Sequence, residues 1–535
     1  MPEIKVPTIT STYDIICFGD EVPGILALVC AGREYFRQKN QYPRILLLLK
    51  GNSKLGIGGH LVRGGLSYLD RSTVPPAIRQ SRNLDTFGDP AAIYKEFLKR
   101  AGVAFIALDP VKADSALRAM LKEVRADIIS DIEIKSVIKE GQKITAIELT
   151  KGETYAAKQF IDCTVNAELA QAAGVKKLKG FETFGLPDSE LAVTLVFETQ
   201  GLSIDRLKNV ESLYLKRFTN KADTEAQKWL NVAAGGDPAR ANELRKDLVD
   251  SAGKLKTMYA EQDYIDVRSK ALSIAYHAFR GTPVSLASSG TMLDNGNIAV
   301  LSQGRLFWNA LLYKVNSDQA ETLARAKAQP TPEMLREMLF VRKWFESIGA
   351  SQVKPAQELY IRHAGNITGA VDPLSGSEML AGGVPQSEAL GTFGYHFDIR
   401  GGINGLGARA AGKGLNDFDL DPPLFNIGIQ HALVKNVPNL AVISPASGFV
   451  GYASSAGRIV EFNCGVGQGV GIAAAIAICA ERSSEAIAQA RNLADISNTQ
   501  VKTILAQTGR LSQVYGTSNV ALASQLGSFE NQMIA

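Results

Sequence analysis

The sequence predicts an α/β fold built on a central parallel sheet, and three stretches of the chain predict it. Residues 13–18 (YDIICF) form a short apolar run with a β-branched pair, the turn GDEVPG follows at Gly19–Gly24, and Ile25–Arg37 carries Ile25, Leu26, Leu28, Val29, Tyr35 and Phe36 at helical spacing. Beyond Asn40 and Pro43, Ile45–Leu49 is five successive aliphatics, the pattern of a strand buried on both faces as in a parallel sheet. This order of strand, turn, helix and strand is one βαβ unit. The same pattern returns late in the chain, where Asn439–Ser444 reads as a strand, Pro445–Gly457 as a loop and Gly467–Glu481 as an apolar helix of small residues.

Between these ends, helices are expected around Pro90–Ala101 and Ala113–Val124. Ile132–Ile138 and Thr145–Leu149 read as strands of a β-hairpin crossover turning at Glu140–Lys143, and Lys158–Cys163 as another buried strand. The central sheet is expected to hold the strands near 13–18, 45–49, 158–163 and 439–444. From about residue 180 the character changes to charged helical stretches, Lys221–Met258 and Ser317–Ile348, separated by loops rich in Gly, Ser and Pro. The expected organisation is a first lobe over 12–180, an α+β substrate or cap lobe, largely helical, over 181–430, a return to the first lobe over 431–485, and a helical tail over 486–535.

At 535 residues the chain exceeds what one core usually holds. The 58 basic and 54 acidic side chains nearly balance, leaving a net charge of +4, and no basic run is interleaved with aromatics, so nothing points to nucleic acid. Cys17, Cys30, Cys163, Cys464 and Cys479 are odd in number and scattered, without a CxxC pair, which argues against a zinc site and a disulfide framework. Met1–Ser11 is polar, with two prolines and no apolar core of a signal peptide. The apolar runs Ile45–Leu49 and Ile472–Cys479 fall short of the roughly 20 residues that span a bilayer. A cytoplasmic enzyme acting on a small molecule, with no membrane span, is the expectation.

Three constellations could carry chemistry. A dinucleotide-binding turn needs glycine where it is tight, where backbone nears the pyrophosphate and where helix packs on strand, and the helix N-terminus then faces the phosphates. Gly19 and Gly24 fill the outer positions here, but Glu21 stands at the middle one, and a carboxylate beside a pyrophosphate is repelled by roughly 1 to 4 kcal/mol. The acid expected after the second strand, to bind an adenosine ribose, is replaced by Lys50. The second constellation spans Gly56–Asp70. Its glycines Gly56, Gly58, Gly59, Gly64 and Gly65 let backbone N–H groups approach a flat ligand or a phosphate, and Leu61, Val62 and Leu66 among them argue for an ordered loop. The third, Asn463–Ala475, pairs Gly467 and Gly471 with small apolar residues in a helix able to pack closely, its first turn free to face an electron-rich ligand atom.

On YDIICFGDEVPG at the start, IGGHLVRGGLSYLD after the second strand, KQFIDCTVNAELAQAAGV at Lys158–Val175 and RIVEFNCGVGQGVGIAAA at Arg458–Ala475, the chain resembles the FAD-dependent oxidoreductases, the glutathione-reductase-like flavoproteins with two dinucleotide-binding domains. The resemblance implies a Rossmann-like FAD-binding lobe, with Gly19 and Gly24 bracketing the diphosphate and Gly58, Gly59 and His60 near the phosphate or the isoalloxazine. It further implies Thr164 closing over the FAD loop, and Gly467 and Gln468 starting the helix that points at the flavin N1/C2=O edge. Glu21 and Lys50 depart from the family's pattern at positions that would face the adenosine diphosphate.

On the substrate side, Arg362 and His363, and His396 with Asp398 and Arg400, lie in Gly-containing loops before the last motif. An Arg there could bind a carboxylate and a His could move a proton. His277 and His431 sit in apolar helical settings that favour core histidines. The leading expectation is an FAD enzyme that passes hydride between its flavin and a small organic substrate. A degenerate member with weak or lost FAD binding, serving as a binding or scaffold protein, is the alternative that Glu21 and Lys50 motivate. An NADP dehydrogenase with Lys50 on the 2′-phosphate leaves Arg458–Gly471 unexplained.

Overall fold

The computed structural model describes residues 8–398, 422–479 and 491–534. Arg400, the C-terminal end of the expected helix to Glu481 and the first residues of the tail lie outside the described residues.

The aliphatic runs fold as the βαβ reading expects. β1 (Ser11–Phe18) pairs parallel with β2 (Ile45–Leu48), and the helix α1 (Val22–Lys39) connects them. The sheet runs in the order β3, β2, β1, β6, β5, β4, with β3 (Asp127–Ile129), a short strand absent from the sequence reading, parallel to β2 at one edge. β4 (Ile134–Glu140) and β5 (Lys143–Leu149) form the expected antiparallel hairpin, and β5 pairs antiparallel with the start of β6 (Thr154–Asp162). The returning strand Leu440–Val442 pairs parallel with the other end of β6, at Phe160–Asp162. The hairpin and the returning strand therefore share one edge of β6. Asn439 joins them, because its side-chain amide donates to Ile144 O and Lys158 O while its oxygen accepts from Ile144 N. The parallel strands end together at Phe18, Leu48, Asp162 and Val442, the edge where open α/β sheets place ligands.

α1 begins within the Gly turn, with Pro23 in its first turn, where the missing N–H costs nothing. It crosses α6 (Val460–Cys479), and that helix has almost no polar face, so it is buried on all sides. The crossing is close because glycines line it. A methyl on Gly467 would lie 2.5 Å from Pro23 O, and one on Gly471 would lie 2.2 Å from Ala27 O. By length and composition α6 could cross a membrane, but 89% of its apolar window is buried inside the protein, as for a core helix. The remaining helices used below are α2 (Gly59–Val62), α3 (Ala92–Arg100), α4 (Pro110–Glu123) and α5 (Glu168–Ala172), each of which precedes α6 in the chain.

The middle of the chain is α+β, as the sequence suggests, but the sequence reading placed none of its strands. Its centre is a seven-stranded antiparallel sheet, in the order β13, β8, β12, β11, β10, β9 with β7 also on β12. The strands are β7 (Val193–Thr194), β8 (Phe197–Gln200), β9 (Tyr259–Ala260), β10 (Tyr264–Asp266), β11 (Thr291–Leu301), β12 (Arg305–Tyr313) and β13 (Gln352–Pro355). Charged helices mask the sheet in sequence because they pack over it and supply most of the residues, while β9 and β10 lie just beyond the stretch Lys221–Met258 expected to be helical. Phe197, Trp308 and Phe345 stack at its core.

The close crossing of α1 and α6 fixes the sign of one substitution. Gly471→Ala should lower the unfolding free energy by about 1–3 kcal/mol, read from the denaturant midpoint, because the added methyl overpacks against Ala27 O. Helix propensity alone would move it about 1 kcal/mol the other way, so an unchanged or raised midpoint contradicts the crossing described.

Candidate functional site

The turn after β1 is shaped as a dinucleotide turn and filled as something else. Its outer glycines are required by packing. Gly19, at φ +95°, passes so close to the β6–α5 connection that a methyl would lie 2.6 Å from Cys163 C, and a methyl on Gly24 would lie 2.5 Å from Cys163 Cβ. The Gly24 N–H donates to Cys163 Sγ at 3.1 Å, and the thiol donates to Ile443 O at 3.0 Å, so three strand ends are tied at this point.

Between the glycines, Asp20 and Glu21 turn their carboxylates onto the Gly-rich stretch. Asp20 Oδ2 accepts from Gly58 N at 3.0 Å and Gly59 N at 3.4 Å. Glu21 accepts from His60 N at 3.2 Å through Oε1, and its Oε2 lies 2.5 Å from His60 Nδ1. A methyl on Gly59 would overlap Glu21 at 2.1 Å, so the glycine cradle is fitted to this carboxylate. The successive N–H groups of Gly58, Gly59 and His60 form an anion-binding concavity of the kind that holds phosphates, and the chain's own acids occupy it.

Arg63 sits behind them, with 6% of its surface exposed. It holds Asp20 through both terminal nitrogens, at 2.5 and 2.9 Å, Glu358 through Nε at 2.7 Å, and Gly56 O through Nη1 at 2.7 Å. Glu358 comes from the loop after β13, so this guanidinium joins the first turn, the Gly-rich stretch and the antiparallel sheet. Burial alone would raise the Asp20 carboxyl, but Arg63 and the two backbone N–H groups hold it below its ordinary value. Burial pushes Glu358 up to about 7, against the pull of Arg63 and helped by the nearby charges of Asp20 and Glu21.

The other predicted cofactor residues are dispersed. Lys50 lies 2.8 Å from Glu168 Oε2 and donates to Arg325 O at 2.6 Å. Thr164 caps the start of α5, donating to Asp162 Oδ1 at 2.7 Å and accepting from Glu168 N at 2.8 Å; burial raises the Asp162 carboxyl to about 6. Gly64 packs on the backbone of His60, while Gly65, at φ +63°, faces Val196, Phe307 and Ala356 of the antiparallel sheet. Leu66 is buried and its N–H donates to His60 O. Gly467 and Gln468 do not start their helix. α6 begins at Val460, placing both two turns in, where Gly467 meets α1 and Gln468 Oε1 accepts from Ile93 N at the start of α3. The early start was hidden because Val460–Val466 is as apolar and Gly-containing as the loop before it.

The substrate-side candidates separate as well. His363 is buried, with Nδ1 2.9 Å from Glu190 Oε1 and Nε2 2.9 Å from Asn366 Oδ1, so both ring nitrogens are engaged. His396 is exposed, beside Tyr395. Arg362 is half-buried over the Tyr360 ring at 4.6 Å and donates to Ala192 O and Thr194 Oγ1. His277 and His431 are buried, as expected for core histidines, and burial lowers them to about 4 and about 3.

The sequence reading missed Asp20, Arg63, Glu358, Tyr360 and Arg458. Arg458 is buried, 2.8 Å from Asp398 Oδ2 and 3.9 Å from Asp70 Oδ2. Asp20 stood beside Glu21 in plain view, as a second acid in a turn that should meet a diphosphate. The pairing of Arg63 with Glu358, 295 positions apart, has no local signal.

A family model described as FAD dependent oxidoreductase matches residues 54–499, well over half of the chain, and the chain belongs to that family. It is an oxidoreductase, and FAD is its cofactor. The match specifies no glutathione-reductase-like subdivision, and it begins beyond Lys50, leaving out the turn Gly19–Gly24. No curated protein matches the chain. Among solved structures it is similar to an L-proline dehydrogenase from P. horikoshii, at 10% identity over 86% of this chain and 93% of that one, with a TM-score of 0.34. It is also similar to the myxobacterial chondrochloren halogenase CndH, described as a variant of FAD-dependent halogenases, at 11% identity over 98% and 97% with a TM-score of 0.37. A third is NikD, an amino acid oxidase essential for nikkomycin biosynthesis, at 8% identity over 90% and 98% with a TM-score of 0.36. At scores and identities this low, these likenesses carry no argument about substrate.

The residues at the turn do not fit a diphosphate as folded. The cavity between Gly19, Glu21, Lys50, Thr164 and Glu358 is about 80 Å³, against the roughly 300–1,000 Å³ of sites for larger ligands. A diphosphate placed there would also meet the Glu21 carboxylate at close range, a repulsion of about 1–4 kcal/mol, while Asp20 is paired with Arg63 and Glu168 with Lys50. His60 Nε2, Ser67 Oγ and Arg458 Nε are among the buried polar atoms without a hydrogen-bond partner, the condition of polar groups that a bound molecule would satisfy.

Two measurements check this electrostatic arrangement. Arg63→Met leaves Asp20 buried and unpaired and should cost about 3–5 kcal/mol of stability, read by denaturant unfolding; a loss under about 1 kcal/mol contradicts the pairing. The Glu358 carboxyl binds its proton more tightly folded than unfolded, so its contribution is present at pH 4 and is lost as pH rises through about 7. Asp20, with a lowered value, acts only at lower pH. Wild type should therefore lose more thermal stability than Glu358→Gln between pH 5 and pH 8, and equal losses would contradict the raised carboxyl.

Proposed function

We propose that this protein passes hydride between FAD and a small organic substrate, in the cytoplasm. The match to the FAD dependent oxidoreductase family over residues 54–499 carries this reading. FAD supplies the redox chemistry when bound, and the chain supplies position and electrostatics. Arg362 lies over the Tyr360 ring with its terminal nitrogens on Ala192 O, Thr194 Oγ1 and Asn309 Oδ1, and Arg458 lies near Asp398 and Asp70 with its Nε unsatisfied. Arg362 is the side chain proposed to hold an anionic group of the substrate, since a guanidinium presents a planar fork to a carboxylate. His363, with both nitrogens held, positions the Arg362 loop. His396, on the exposed side of Tyr395, is the group left open for proton transfer.

The filled turn favours one other reading, a family member with weak or lost FAD binding that serves as a binding or scaffold protein. The absorbance of freshly purified protein, before and after excess FAD, separates the two. Bound flavin that small organic acids or amines bleach without oxygen supports the enzyme. Protein that stays colourless and ignores added FAD supports the scaffold and ends the hydride-transfer reading. With a substrate in hand, Arg362→Ala should raise KM about tenfold or more and change kcat less, the loss of one charge-assisted hydrogen bond of about 1.5–3 kcal/mol. Unchanged KM and kcat would remove Arg362 from the substrate site.

A further inference from the structure

We infer that Glu21 acts as a built-in competitor for the FAD diphosphate, so that FAD binds this protein only by displacing the Glu21 carboxylate from the His60 N–H beside Gly59. The inference rests on FAD being the ligand of the site and not on the proposed substrate.

Four observations carry it. Gly19 and Gly24 are held in place by close packing on Cys163, so the turn keeps the shape of a dinucleotide turn. α1, 18 residues long, starts at Val22, directly behind Glu21, and no acid stands in its first turn. Glu21 thus projects an anion into the space that this helix end and the Gly58–His60 backbone would offer a phosphate. It is seated there, with its oxygens on His60 N and beside His60 Nδ1, and with Gly59 admitting no side chain because Glu21 fills the place of one. Finally, Glu21 is displaceable where Asp20 is not. Its side chain is 19% exposed and, among the described residues, bonds to no Lys or Arg, whereas Asp20 is 7% exposed and doubly bonded to Arg63. Asp20 and Arg63 are therefore structural, and Glu21 is the movable part of the plug. Lys50, occupied by Glu168 and Arg325 O, is already engaged at the adenosine side.

The test is FAD and ADP titration, by calorimetry, of the full-length wild type, Glu21→Gly and Glu21→Gln, each first shown to unfold cooperatively. Wild type should bind both weakly and lose FAD on gel filtration. Glu21→Gly should tighten both by at least tenfold, because it removes charge and bulk together. Glu21→Gln, which keeps the bulk, should fall between the two. Tight FAD in wild type with no gain in either variant overturns the inference and leaves the enzyme reading standing. A gain for ADP without any flavin absorbance supports the plug and contradicts the flavin reading. Equal, weak binding by all three proteins overturns the inference, and the Gln variant covers a Gly variant that does not fold.

Discussion

The buried guanidinium of Arg63 is the interaction on which the rest of this structure depends. It neutralises Asp20 in the first turn, fixes the Gly-rich stretch through Gly56 O and reaches Glu358 beside the antiparallel sheet. Without it, an unpaired carboxylate would lie where the parallel strands end, at several kcal/mol. With it, the two sheets are locked at the one place where a ligand should sit. Such a pairing is a poor source of net stability, since desolvating the charges offsets most of their attraction. Its effect is on geometry: it determines which way Asp20 points, and so which backbone N–H groups are taken.

The second constraint is the crossing of α1 and α6. Glycines at 467 and 471 let the two helix backbones approach, and this seats the returning strand Leu440–Val442 against β6. A family assignment and a departure from the family thus coexist in one chain. The packing glycines of the fold are intact, and Glu21 and Lys50 are where the chain departs from the family's pattern.

Much of the fold was legible because it rests on short-range patterns. Ile45–Leu49 could only be a strand buried on both faces, and the hairpin at Glu140–Lys143 announced itself by its turn. The antiparallel sheet of the middle region was not legible. Its strands alternate and are short, while the charged helices that cover them dominate the composition. At the turn, Glu21 and Lys50 stood out in the sequence as charges that depart from the family's pattern. The site was illegible at Arg63 and Glu358, whose meaning comes from a contact across the chain, and misleading at Gln468, where a glycine-rich helix gave no sign of starting at Val460.

What remains is a claim about which anion occupies one small place. A crystal structure of the wild-type protein, grown at neutral pH without added nucleotide, measures it most directly. The account predicts Asp20 on the N–H groups of Gly58 and Gly59, and Glu21 on that of His60, with no diphosphate between them. Copurified FAD bound while Glu21 stays on the His60 N–H, or Glu21 turned away from His60 with no ligand in its place, would contradict it.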